Sequence, residues 1–214
     1  MASDSPTGFQ EDRVIANGFD GQPPPRRVWA AVAALCAAFL VLAALGDEAR
    51  TALRFDRAAL AQGQWWRLLS AHLVHLGWAH ALLNVIGVVL CGLLAPAVFG
   101  RGLGARLVLL GLGVGLALWL ASPGVPDYAG FSGVLYGLFA WGLLPQLRAG
   151  DRIAGWVLAG IAGWMLWQWI QGPAVSEELL IGGHIVGIAH VYGFCGGIVG
   201  WGACALAARR RRGR

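Results

Sequence analysis

The chain has 214 residues, of which 57% are hydrophobic and only 13% charged, with a formal net charge of +5. A soluble domain carries about 25% charged residues, whereas here the charges fall between apolar runs long enough to cross a bilayer, for which about 20 residues are needed. That excludes a soluble enzyme and points to one all-α, polytopic membrane domain whose core is built by helix–helix packing, a use for which 33 glycines are well suited.

Residues 1–27 are polar and end Pro23-Pro24-Pro25-Arg26-Arg27, a pattern expected of a flexible tail. The apolar run from Val28 to Gly46 is long for a signal-peptide core, and Asp47-Glu48-Ala49 is no A-x-A cleavage site, so an uncleaved first span is expected. Residues 47–71 read as a long loop carrying Arg50, Arg54, Asp56, Arg57 and Trp65-Trp66-Arg67, lying partly at the membrane interface that Trp favours. A second span is expected over 72–94, ended by Pro96 and Arg101, and a third over 105–121, followed by the loop Ser122-Pro123-Gly124-Val125-Pro126-Asp127. The fourth covers 130–147 and the fifth 153–170; Gly172-Pro173 and Ser176-Glu177-Glu178 make the next loop. The sixth covers 181–208. The expected organisation is therefore a tail over 1–27, a six-helix domain over 28–208 and a basic tail over 209–214.

All 16 basic residues are arginine, and their distribution sets the orientation. With six spans, both termini and the 2–3 and 4–5 loops share a side holding twelve of them: Arg13, Arg26, Arg27, Arg101, Arg106, Arg148, Arg152 and the five of the C-terminal tail. The positive-inside bias places that side, and both termini, in the cytoplasm. The start of span four then lies near the outer face. The basic tail is a topology signal and a contact for anionic lipid headgroups, and no nucleic-acid partner is expected.

Polar side chains inside a span are costly and point to function. Span two carries His72, His75, His80 and Asn84; span four carries Ser132 and Tyr136; span six carries His184, His190 and Tyr192. No Asp or Glu lies deep in a span, which removes an aspartyl intramembrane protease and a proton-coupled transporter. His72-Leu73-Val74-His75 lacks the glutamate of a zinc protease, and the four cysteines show no metal spacing, so no metal or other cofactor is expected. Those cysteines read as small core residues, and His72 as an interface residue.

A serine, histidines and an amide suffice for acyl transfer. A serine hydroxyl needs a base to take its proton, histidine is the natural base, and an Asn or His donor can stabilise an oxyanion. Ser132 standing alone among glycines reads as a helix-packing residue. Its spacing favours chemistry. Asn84 follows His80 by four residues and Tyr136 follows Ser132 by four, so each pair shares a helix face. Gly133 and Gly137 on span four, with Gly193 and Gly197 on span six, make two small-xxx-small faces that let the backbones approach. His184 competes with His190 for the role of base.

Taken together, Trp66-Arg67, His75, His80, Asn84, the G-x-S-G of Gly130 to Gly133 with Tyr136, and Ala189-His190-x-x-Gly193-x-x-x-Gly197 resemble the rhomboids, the intramembrane serine proteases. The resemblance covers roughly residues 50–205. It implies a six-helix bundle with a water-filled cavity open outward and a Ser132–His190 dyad without an acid member. His80, Asn84 and the Ser132 amide would form the oxyanion hole, and Tyr136 would stack on the imidazole. His75, Trp66 and Arg67 would hold the first loop. Within the rhomboids, the compact form and the run from Phe55 to His80 look most like the rhombosortases. That likeness implies a bacterial inner membrane, an active site open to the periplasm, and exported substrates ending in a Gly-Gly motif, a transmembrane helix and a basic tail. A general rhomboid acting on other single-span proteins is the second expectation, and a non-catalytic rhomboid-like protein that binds membrane helices the third. The sequence assigns no oligomeric state.

Overall fold

The computed structural model describes residues 24–212. Most of the expected N-terminal tail lies outside the described residues. The helices are α1 (Arg26–Ala44), α2 (Gly46–Leu53), α3 (Arg57–Ala61), α4 (Arg67–Ser70), α5 (Trp78–Leu94), α6 (Leu103–Ala121), α7 (Ser132–Arg148), α8 (Arg152–Gln171), α9 (Val175–Ile181) and α10 (Gly187–Arg212), with one 3-10 turn over Pro96–Phe99. Two short strands, β1 (Phe55–Asp56) and β2 (Asp127–Tyr128), pair antiparallel with Phe55 opposite Tyr128. The protein is an all-α polytopic bundle.

Helices α1, α6, α8 and α10 are each long and apolar enough to cross a membrane. Helices α5 and α7 have 17 residues each, a rise of about 25 Å. Helix α7 is the central one: its contact with α10 is the most extensive in the fold, and it also packs on α5, α6 and α8. Gly133, Leu138, Ala140 and Leu143 along it are buried. The outer helices instead turn apolar side chains outward, with Trp156 78%, Leu120 74% and Val199 70% exposed. In water these faces would be a liability, but lipid is as apolar as leucine and leaves packing to decide which face turns inward.

Three expectations are corrected. The second span begins at Trp78, not His72. The preceding residues are apolar enough to extend a helix, but their backbone groups are claimed from outside: Ala71 O accepts from Gly130 N–H at 3.0 Å, Leu76 O accepts from Arg50, and Leu76 N–H donates to His80 Nδ1 at 3.3 Å. The sixth span begins at Gly187, not Ile181. Here Gly182, at φ +84°, ends α9, and the Gly182 and Gly183 amides both donate to Glu178 O at 3.0 Å, a left-handed cap that hydropathy does not register. The stretch 47–71 is also not a plain loop. It folds into three short helices and a strand, with Asp56 capping α3 by accepting from Ala59 N–H at 3.0 Å.

Two arginines hold this first connection. Arg67 is 8% exposed and donates to Gln64 Oε1 at 2.7 Å, Arg54 O at 2.8 Å and Thr51 O at 2.9 Å. Arg57 closes the C-terminus of α6, donating to the carbonyls of Leu118, Trp119, Ser122 and Val125 at 2.7–3.0 Å. Leu118 and Trp119 are among the carbonyls a helix end leaves without partners, and a guanidinium there also meets the negative end of the helix dipole.

Candidate active site

Ser132 is the first residue of α7, and its Oγ lies 2.9 Å from Nε2 of His190 in the first turn of α10. Glycine makes this approach possible. A Cβ added at Gly193 would land on the Gly133 carbonyl oxygen, one at Gly197 on the Gly137 carbonyl, and one at Gly137 would stand 2.7 Å from Gly193 O. The two helix backbones therefore touch directly, as the paired small-residue faces predict.

Tyr136, one turn below Ser132, stacks on the His190 imidazole with centroids 4.6 Å apart and planes 8° from parallel. This fixes the ring plane without a hydrogen bond. His190 Nδ1 is buried and has no hydrogen-bond partner among the described residues. An imidazole accepting from Ser132 at Nε2 carries its proton on that Nδ1.

His80 stands in the first turn of α5. Its Nδ1 accepts the Leu76 amide, which leaves the proton on Nε2 and makes that nitrogen a donor. The ring faces Gly130, where an added Cβ would lie 2.7 Å from Cε1 and 2.9 Å from Nε2. Gly130, at φ +131°, therefore has two reasons to be glycine: its backbone conformation and the imidazole against it. Asn84 is 4% exposed and spends one amide hydrogen on the His80 carbonyl at 3.0 Å, keeping a second donor. Both residues line a cavity of about 340 Å3 together with Ser132, His190 and Tyr128. Glu177 of α9 and Gln168 of α8 also line it, with Gln168 donating to Glu177 at 3.4 Å.

His184, the rival to His190, sits on the connection after α9, where its ring contacts Glu178 at 3.3 Å and its side chain is 94% exposed. Only His190 of the two reaches Ser132. His75 is buried, edge-on to Phe39 at 4.9 Å and to His80 at 5.1 Å, behind the site. Of the first-connection residues, Arg67 makes the anchoring bonds, while the Trp66 indole is exposed at the surface.

His72 is not an interface residue. It is buried against α6, its Nε2 2.9 Å from Gly111 O. The cysteines are likewise not all core: Cys91 is buried, but Cys195 and Cys204 lie exposed on α10. The sequence reading missed Tyr128, Gln168 and Glu177. Tyr128 sits four residues before Ser132 in the two-residue strand β2, with no helical period to expose it, and the other two line the cavity from α8 and α9, which span spacing does not relate to Ser132.

A hydroxyl hydrogen-bonded to an imidazole, beside two donors that could face a developing oxyanion, is a constellation for acyl transfer on a bilayer scaffold. The pattern of the rhomboid domain matches residues 62–206, which takes in every residue of this constellation. The chain belongs to the rhomboid family. Within that class it is an intramembrane serine protease. It is 29% identical over 161 residues to YdcA of Bacillus subtilis, named as a rhomboid protease, covering 71% of this chain and 73% of that one. It is 33% identical over 84 residues to the rhomboid protease GluP of the same organism, covering 38% of this chain and 16% of GluP. The chain thus spans only a small part of GluP's length.

Proposed function

We propose that this protein is an endopeptidase that cuts exported proteins at a C-terminal Gly-Gly, transmembrane-helix and basic-tail signal near the outer face of a bacterial inner membrane. Ser132 is the nucleophile and His190 the base. The carrying observation is the 2.9 Å contact between Ser132 Oγ and His190 Nε2. In the reaction, Oγ bonds to the scissile carbonyl carbon and its proton passes to Nε2. The oxyanion takes hydrogen bonds from the Ser132 amide, Asn84 Nδ2 and His80 Nε2. Collapse breaks the C–N bond, and His190 returns the proton to the leaving amine. Water then cleaves the acyl-enzyme by the same route reversed. A substrate helix must unwind to present its peptide bond, and a Gly-Gly pair supplies the weak point. Both termini are cytoplasmic in this reading, and the cavity opens to the periplasm.

The test is co-expression with a Gly-Gly-tailed substrate. Ser132→Ala is expected to abolish cleavage while membrane insertion is retained; unchanged cleavage removes Ser132 from the mechanism. A second reading, a rhomboid protease for other single-span proteins, is favoured by the names of YdcA and GluP. A panel setting Gly-Gly tails beside other helices separates the two. A helix-binding protein without catalysis is tested by a fluorophosphonate, whose labelling of the wild type and not of Ser132→Ala rules it out.

A further inference from the structure

The residues immediately before Ser132 hold a second, unassigned hydroxyl. Tyr128 ends β2, is 5% exposed, and lines the same cavity as Ser132 and His190. Its Oη donates to the Gly130 carbonyl at 2.6 Å. A Cβ added at Gly133 would stand 3.1 Å from that oxygen, and the Gly133 amide and the Ser132 side chain are its other polar neighbours. Burial pushes the phenol well above the ordinary tyrosine range, so it remains a donor at every working pH.

The Gly130 carbonyl shares a planar peptide with the Phe131 amide. Fixing one end fixes the direction of the other, and through it the entry into α7 and the aim of the Ser132 amide. That peptide is unusually free to turn. Gly130 has no side chain and sits at φ +131°, a region glycine crosses at little cost. Two bonds restrain it: its own N–H to Ala71 O at 3.0 Å and its carbonyl from Tyr128. The first anchors the strand side. The second acts on the peptide that leads into the nucleophile, whose backbone the buried His72 ring also approaches. Tyr128 is in turn held by pairing with Phe55 and by an edge contact with His72 at 5.6 Å.

We propose that Tyr128 is a positioning residue: its hydroxyl locks the Gly130–Phe131 peptide so that the Ser132 amide is presented to the oxyanion. The inference rests on Ser132 being the nucleophile. It makes the tyrosine act on the rate of acylation and not on the affinity for substrate. It also explains why a buried tyrosine, and not a phenylalanine, stands at a position whose ring already has an apolar environment.

The experiment uses the full chain in detergent or proteoliposomes and compares wild type, Tyr128→Phe, Ser132→Ala and Tyr128→4-aminophenylalanine introduced by amber suppression. Loss of a single oxyanion donor costs about 10²–10³ in kcat, and a misaimed donor retains part of its effect. Tyr128→Phe is therefore expected to lower kcat and the fluorophosphonate labelling rate about 10-fold or more, with KM within about 2-fold and a Tm lowered by only a few degrees, as loss of one buried hydrogen bond entails. The aminophenylalanine variant, which keeps a donor in place, is expected to recover most of the rate. Unchanged kcat and labelling in Tyr128→Phe overturn the proposal, as does a loss in which KM and Tm move together, or an aminophenylalanine variant that folds and is not rescued. Should Tyr128→Phe not accumulate, the aminophenylalanine variant decides alone: wild-type rates support the hydrogen bond and Phe-like inactivity with an intact Tm overturns it. Cleavage surviving in Ser132→Ala would instead overturn the underlying reading, whatever Tyr128 does.

Discussion

At the scale of single residues, two histidines of similar sequence context end in opposite environments. His190 is buried under Tyr136 with Nε2 on Ser132, and His184 is exposed beside Glu178. His190→Ala is expected to lower kcat by at least about three orders of magnitude, as loss of a nucleophile or its base does elsewhere. His184→Ala is expected to stay within a few-fold of wild type in the same cleavage assay. The opposite pattern would transfer the base to His184. Asn84→Ala is expected to reduce kcat about 10²–10³-fold with little change in KM, since a donor aimed at developing charge acts on the transition state.

At the scale of elements, the α7–α10 contact carries the site. Gly193→Ala forces a methyl onto the Gly133 carbonyl. Overpacking of this kind costs about 1–3 kcal/mol, and a displacement near 1 Å between reacting groups can cost about 10²-fold in rate. The variant is expected to insert and fold with a modestly lowered Tm and to label with fluorophosphonate far more slowly. The connection before α4 depends on polar bonds instead. Arg57→Ala removes the guanidinium from four carbonyls, those of Leu118 and Trp119 in the last turn of α6 and of Ser122 and Val125 just after it, of which Ser122 keeps a bond from Val125 N–H. With charged hydrogen bonds contributing roughly 1.5–3 kcal/mol each and water replacing some of them, a destabilisation of about 2–3 kcal/mol is expected in thermal unfolding. Its effect on cleavage should pass through β1 and its pairing with β2, which leads into Ser132.

At the scale of the whole molecule, the helices alternate in direction, so the starts of α5, α7 and α10, with His80, Ser132 and His190, gather at one end. The arginines at 101, 106, 148, 152 and 209–212 gather at the other. Helix α10 runs on through Arg212, so Arg209–Arg212 of the expected basic tail continue the last helix. On the proposed orientation, a cysteine placed by Ser176→Cys should react with an impermeant maleimide added outside intact cells. One placed by Gly150→Cys should react only after the membrane is opened, and the reverse result would invert the topology. The native exposed Cys195 and Cys204 are replaced by serine for that measurement.

The sequence by itself determined the membrane class and the approximate positions of the spans, and it offered Ser132, His80, Asn84 and the rival histidines His184 and His190 as candidates, whose roles only the rhomboid resemblance supplied. It could do so because these rest on local signals: apolar run length, arginine placement, i to i+4 spacing and the small-residue faces. Span boundaries were legible only where a charge or proline marked them. At His72 to Gly77 and Ile181 to Val186 the side chains are apolar enough to continue a helix, and backbone contacts, distant in the first stretch and local in the second, decided otherwise. Arg50 and Gly130 take the backbone groups of the first stretch, and the Gly182 turn ends the helix before the second. Tertiary structure alone chose between His184 and His190 for contact with Ser132, brought α9 to the wall of the cavity, buried His72 against α6, and brought the Tyr128 hydroxyl to the Gly130 carbonyl. The physical reason is common to all four. Each depends on where a backbone of no distinctive composition turns, a turn that hydrogen bonds fix locally, as at Gly182, or from far along the chain, as from Gly130 to Ala71.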